Sequence, residues 1–305
     1  MKTKTIFDIP EFPAQEDVTT AHNDLIIEAC NLENVCSAEC STYYLISWFY
    51  NRPGMISRIG ERLILDAEGS QGGHLFRGPF GKGPLKPALE KMLHHIQTDF
   101  GEAPTLHYLP GNFADKLCAT IEPKSKEDHS DFYDYIYDRS ELASLEGGKF
   151  IKQRNLVNKF EREYNPEIIV LKEDDTEKVM RCLDKWYERY GTDDHFLDME
   201  RDSVEIGLKN LWKLGGVAIK IALKSEMCGL SWAVPLSHDT WMVVVEKAPR
   251  NVKGMYQYVN KSLANILPES AKFLNREADM GIEGLRTAKQ RYNPVKFERK
   301  TTLYY

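Results

Sequence analysis

Two stretches of this chain pass through the same series of elements, and that repetition constrains the fold more than any single residue does. In the first, helical periodicity over 18–30 and 41–50 gives way to extended segments at 55–59, 62–66 and 74–80. Phe80-Gly81-Lys82-Gly83-Pro84 follows, then a helix over 84–99 whose proline suits the first turn, where a missing N–H costs little. In the second, a helix over 199–214 precedes extended runs at 217–223, 228–235 and 240–246. After them come Asn251-Val252-Lys253-Gly254 and a helix over 255–267. Residue identity between the halves is slight, so it is the order that repeats, and the order reads as a tandem duplication. At 305 residues the chain also exceeds what one hydrophobic core usually serves, so two domains are expected, 1–147 and 148–305.

Charge and cysteine usage exclude several classes of function. A formal net charge of -6 offers no overall attraction to a phosphate backbone, which argues against a general DNA binder. The amino terminus lacks the apolar stretch of a signal peptide, and no run approaches the roughly 20 apolar residues of a membrane span, so a cytoplasmic protein without a transmembrane segment is expected. Cysteines 30, 36, 40, 118, 182 and 228 form no Cys-x-x-Cys pair and have no histidine at ligand spacing, so they read as free thiols and no metal site is expected. The serines and histidines form no nucleophile-elbow or triad pattern, which leaves hydrolysis without support.

Chemistry concentrates in the second half. A short apolar strand at Phe273-Leu274 opens into Asn275-Arg276-Glu277-Ala278-Asp279, then Gly281, Glu283, Gly284 and Arg286, more ionisable groups than a surface turn needs. Two readings stand: a solvated charged turn, or a loop holding a polar ligand. On the helix predicted over 148–163, Arg154 falls on the stripe of Phe150, Val157, Phe160 and Tyr164, so its guanidinium requires a carboxylate, Glu277 or Asp279, or a ligand anion. Glu246 closes the apolar run 242–245, where burial would raise its pKa towards that of a general base, unless it pairs with Lys247 or Arg250. Lys82 and Lys253 stand before helix N-termini that suit anions, or else the glycines beside them only make tight turns.

The segments Tyr133-Asp134-Tyr135-Ile136-Tyr137, Leu142-Ala143-Ser144-Leu145-Glu146-Gly147-Gly148-Lys149-Phe150 and Lys152-Gln153-Arg154-Asn155 are similar to the central signature of the phosphatidylglycerol lysyltransferase carboxy-terminal domain family. The run 275–289 with Tyr292-Asn293-Pro294-Val295 resembles that family's other signature, and Val245-Glu246-Lys247-Ala248 and Lys253-Gly254-x-Tyr256-Gln257 match between them. The resemblance implies an α+β fold of two tandem acyl-CoA N-acyltransferase-like domains, of the Gcn5-related N-acetyltransferase (GNAT) type and akin to Fem-type aminoacyltransferases. Each would be a mixed, mostly antiparallel sheet flanked by helices, the second carrying the active site. It implies aminoacyl transfer from aminoacyl-tRNA to an amine or hydroxyl acceptor, a small molecule or lipid headgroup, with the tRNA acceptor end as a partner and no tightly bound cofactor.

By analogy with the family, Glu246 would move the proton with Tyr256 beside it, and Glu277 and Asp279 would bind an amino group. Arg154 and Arg276 would hold anions, Asn155 and Asn275 would line the substrate, and Lys253 and Gly254 would meet the donor's phosphates. An acetyl-CoA-dependent enzyme is the alternative donor reading, although Arg250, Lys253 and Gly254 sit one position out of register with that fold's pyrophosphate loop. A scaffold that binds an amino acid or anion without turnover is the alternative outside enzymes.

Overall fold

The computed structural model describes residues 4–48, 53–69, 72–190, 195–224 and 228–305. Phe49 and Tyr50, the end of the helix predicted over 41–50, lie outside the described residues. The first half runs β1 (Glu16–Asp17), α1 (Asn23–Leu32), α2 (Thr42–Ser47), β2 (Met55–Ile59), β3 (Arg62–Asp66), β4 (Arg77–Gly81), α3 (Leu85–Thr98), β5 (Thr105–Pro110), α4 (Gly111–Thr120), β6 (Ser125–Asp128), β7 (Asp134–Asp138) and α5 (Arg139–Ser144). The second runs α6 (Ile151–Tyr164), β8 (Glu167–Val170), α7 (Thr176–Tyr190), α8 (His195–Asn210), β9 (Val217–Ala222), β10 (Cys228–Pro235), β11 (Thr240–Lys247), α9 (Met255–Ile266), β12 (Phe273–Asn275), α10 (Glu283–Gln290), β13 (Lys296–Glu298) and β14 (Lys300–Tyr304).

Strand pairing crosses the expected 147/148 boundary in both directions. A four-stranded sheet has the order β1-β2-β3-β4, a three-stranded one β5-β14-β6, and a seven-stranded one β13-β7-β12-β11-β10-β9-β8. The two smaller sheets meet where the His107 N–H donates to the Phe76 carbonyl at 2.9 Å. Taken in order, the first unit is then β1-β2-β3-β4, β5, β14, β6, and the second β8-β9-β10-β11-β12-β7-β13. In each unit one strand, β14 or β7, comes from the other half and sits between the fifth and sixth positions. Each half thus gives a strand to its neighbour, and both exchanged strands are antiparallel to those on either side.

Three apolar clusters support this frame. One fills the first unit with Phe12, Phe76, Phe80, Phe113, Leu106 and Leu303. The others cover the two faces of the long sheet: Phe160, Val243, Val259 and Leu274 on the side of α6 and α9, and Trp232, Met242, Val245, Leu183 and Leu208 on the side of α7 and α8. The first unit docks on the second face through α2. The Tyr43 hydroxyl accepts from Trp232 Nε1 at 3.2 Å, and a Cβ at Gly207 on α8 would fall 1.9 Å from that hydroxyl, so glycine there permits the approach.

A bulge sets the aim of the next strand. Ala233 pairs with Val243 while the adjacent Trp232 pairs with Val245, leaving Val244 as the extra residue on β11. Strict alternation would put Val243 and Val245 on one face, whereas here they join opposite clusters. The phase reversal points Glu246 towards α9 and Lys247 towards α7 and α8. Beyond β11, helix α9 crosses over and returns as β12, parallel to β11 and paired only at Thr240, Trp241 and Met242. Past Met242 and Asn275 the two strands part.

Candidate functional site

Where β11 and β12 part, polar side chains converge on both faces of the opening. On the α9 face the Arg276 guanidinium donates to both Glu246 oxygens at 3.1 Å, and Asn260 Nδ2 of α9 donates to the same carboxylate at 3.1 Å. The guanidinium lies over the Tyr292 and Tyr137 rings, 4.9 and 5.4 Å from their centroids. The side chains of Arg276 and Glu246 are 13% and 15% exposed, so the pair lies in a recess that solvent still reaches. Around it three buried polar atoms have no hydrogen-bond partner: Arg276 Nη1, Asn260 Oδ1 and the Tyr292 hydroxyl. Buried polar groups are ordinarily satisfied, and here three orphans lie about one ion pair.

The opposite face meets the first unit. Asn275 Nδ2 donates to the Cys36 carbonyl and to Asp134 Oδ2, both at 2.8 Å, while its oxygen accepts from the Glu277 N–H at 2.7 Å. Lys300, fully buried on β14, donates to Asp134 at 2.9 Å, to Ser37 at 2.6 Å and to Glu39. Burial raises the Asp134 carboxyl to about 6, against the pull of Lys300. Stripping one partner from such a network would leave a buried charge uncompensated. Each exchanged strand supplies one end of this seam, Asp134 from β7 and Lys300 from β14.

Glu277 stands between the two faces with φ at +53°, a left-handed conformation that glutamate adopts only under constraint from its surroundings. Burial lifts its carboxyl to about 8, opposed by Lys289 and reinforced by Asp134, Glu39 and Glu200. Lys289, from α10, donates to the Arg276 and Glu277 carbonyls, and burial followed by the nearby Arg276 cation lowers its ammonium to about 8. Burial thus moves this carboxyl up and this ammonium down, each to about 8.

Several residues singled out from the sequence do other work. Arg154 is not on the buried stripe of α6, which is Gln153, Val157 and Phe160 with Phe150 just ahead, spaced by three, four and three. Its guanidinium donates to the Leu145 and Gly147 carbonyls at 2.6 and 3.2 Å, tying down the end of α5, and meets neither Glu277 nor Asp279. Asn155 is exposed. Asp279 is buried and clamped by Arg286 at 3.0 Å, the Tyr135 hydroxyl at 2.5 Å and the Gly281 N–H at 2.9 Å. Those hydrogen bonds outweigh burial and hold its carboxyl down at about 2.

Gly254 caps α9 at φ +91°, where a Cβ would lie 2.5 Å from the Leu156 carbonyl oxygen, so its glycine answers the close packing of α6 on α9. Lys253 is exposed, and Lys82 pairs with Glu28 at 3.1 Å on the surface. Tyr256 is half-buried on α9, its phenol raised by burial. Asn260, Lys289, Tyr292 and Lys300 carried no assignment in the sequence. They come out only in the fold, Asn260 and Tyr292 on the α9 face beside Arg276 and Lys300 on the opposite face beside Asp134.

Among the described residues no group of histidine, cysteine and acidic side chains is placed to hold a metal ion, and no helix is long and apolar enough to cross a membrane. Residues 38–304 match the family described as phosphatidylglycerol lysyltransferase, C-terminal. A crystal structure of a conserved protein of unknown function from Bacteroides thetaiotaomicron superposes with a TM-score of 0.86 at 27% identity, covering 97% of this chain and 100% of that one. The C-terminal domain of a putative lysylphosphatidylglycerol synthetase from Agrobacterium fabrum gives 0.62 at 13%, covering 94% and 92%. FemX gives 0.59 at 10%, covering 95% and 96%. No curated protein matches the chain.

Proposed function

The chain belongs to the phosphatidylglycerol lysyltransferase C-terminal family, and from that premise we propose that it transfers an aminoacyl group from aminoacyl-tRNA to an amine or hydroxyl acceptor in the gap between β11 and β12. The observation that carries this reading is the set of orphaned polar atoms, Arg276 Nη1, Asn260 Oδ1 and the Tyr292 hydroxyl, around the Glu246–Arg276 pair. In the reaction the acceptor nitrogen or oxygen attacks the ester carbonyl, a new C–N or C–O bond forms, and the ester C–O bond to the terminal ribose breaks. One proton leaves the acceptor and one reaches the ribose oxygen. The free Arg276 N–H meets the charge that develops on the carbonyl oxygen.

Proton transfer falls to Glu277 with Lys289, since both titrate near neutrality beside the gap. Glu246, bound by Arg276 and Asn260, is reassigned from proton transfer to orienting the guanidinium. Tyr256 lines the same helix as Asn260. The constraint on Gly254 from α6 gives no support to a pyrophosphate loop, which favours aminoacyl-tRNA over acetyl-CoA as donor. The order of strands supports reading the chain as two acyltransferase-like units, each completed by a strand from the other. The test is acceptor-dependent consumption of aminoacyl-tRNA by the purified protein across a panel of amines and hydroxyl compounds. Deacylation no faster than without protein, for every acceptor and every charged tRNA, would sink the reading.

A further inference from the structure

On the first unit's side of the seam, a buried cation has donors from which no nearby group accepts. Arg77 opens β4 and is 1% exposed, and its Nε and Nη1 are buried with no hydrogen-bond partner. A guanidinium keeps its charge in a protein, and burying it without acceptors opposes folding strongly. The surrounding groups offset its charge but leave those two donors without acceptors. Glu39 lies within its electrostatic reach, but the Glu39 Oε2 that a cation would seek already accepts from Lys300 and Ser37. His107 on β5, pushed down to about 4 by burial and by Arg77, is neutral at physiological pH. The buried Tyr44 phenol nearby is held in its neutral form by burial first and by Glu39 second.

Lys300 binds both Glu39 and Asp134, so with Arg77 the seam holds two cations against two carboxylates, and what Arg77 lacks is not a counter-charge but acceptors for Nε and Nη1. Arginine's planar fork of donors suits carboxylate and phosphate above other anions. We propose that Arg77 is an anion anchor between the two units, held without partners so that it can take the carboxylate or phosphate of the acceptor molecule. Calling that molecule the acceptor rests on the transfer reading, whereas the anchor itself is a property of the buried guanidinium and is tested without any activity.

The test compares thermal midpoints of wild type and Arg77→Met in inorganic phosphate, in acetate, and in chloride at matched ionic strength. A ligand that binds only the folded state raises its midpoint as RT ln(1 + [L]/Kd), so an anchored anion gives a saturable rise that chloride does not. The expected result is such a rise in wild type with phosphate, acetate or both, and its complete loss in Arg77→Met. A rise with phosphate alone assigns a phosphorylated acceptor, and with acetate alone a carboxylate-bearing one. The proposal is overturned if wild type shows no anion response, or if Arg77→Met, or Arg77→Gln should the first variant not fold, keeps it.

Discussion

Strand β4 of the four-stranded sheet and strand β11 of the seven-stranded sheet end in corners of opposite chemistry. In the first unit β4 ends at Gly81, and the preceding Phe80 packs against Phe113 with ring centroids 4.7 Å apart, both fully buried. There β5 runs straight into α4, whose Phe113, Ala114 and Leu117 join the core. In the second unit β11 ends near Glu246, which meets Arg276 at 3.1 Å, and the chain from 276 to 282 intervenes before α10, a helix with no buried residue. One strand end is sealed by an aromatic pair, and the other is lined by an ion pair with orphaned neighbours. Topology alone therefore does not make a site.

The sharpest way to break this comparison is to remove the proton carrier from the open corner. Glu277→Gln should lower the rate of transfer by about 10²-fold or more, the usual scale for a positioned acid or base, with the protein still folded. A variant that keeps wild-type turnover would return Glu277 to a structural role. Next in size, Phe113→Ala should cost about 3–5 kcal/mol in denaturant unfolding, because the sealed corner is core and a cavity follows. Its rate per folded molecule should hold, and a rate loss beyond the unfolded fraction would mean that the first corner also serves the reaction.

A subtler expectation concerns pH. Glu277 is raised from an unfolded value of 4.5 to about 8, so the folded state holds the extra proton between those values and its contribution to stability falls as pH rises through that window. Lys289 is lowered from 10.5 to about 8, so the unfolded state holds the extra proton from there upward and its contribution grows between 8 and 10.5. Urea midpoints should thus fall towards pH 8 and recover above it, and Glu277→Gln should flatten the lower limb. An unchanged lower limb in the variant would refute the raised carboxyl.

Local signals carried most of the elements. Residues 55–59, 62–66 and 228–235 were expected as extended and stand as β2, β3 and β10, because apolar runs bounded by glycine and proline are set by the chain itself. Their partners are not. Nothing local in Asp134–Asp138 or Lys300–Tyr304 tells that each strand joins the other half's sheet, since the hydrogen-bonding edge it meets lies far away in sequence. The Glu246 and Arg276 candidates came from charge at strand ends, and the structure brings the two together. Arg154 went astray because a seven-residue spacing from Phe150 to Val157 fits two adjacent stripes, and Gln153 takes the buried one. Asn260 and Lys289 were hidden in helices, where a polar residue among others carries no mark until the fold turns it inward.

The central claim is that the Glu246–Arg276 corner, and not its aromatic counterpart, meets the reacting ester. Single-turnover transfer from charged tRNA, measured for wild type and for Arg276→Met with folding checked by circular dichroism, tests it most directly. The account predicts a folded Arg276→Met protein whose rate falls by about 10²-fold or more, the scale seen when one donor to a developing oxyanion is lost. A folded variant that transfers at the wild-type rate would contradict it.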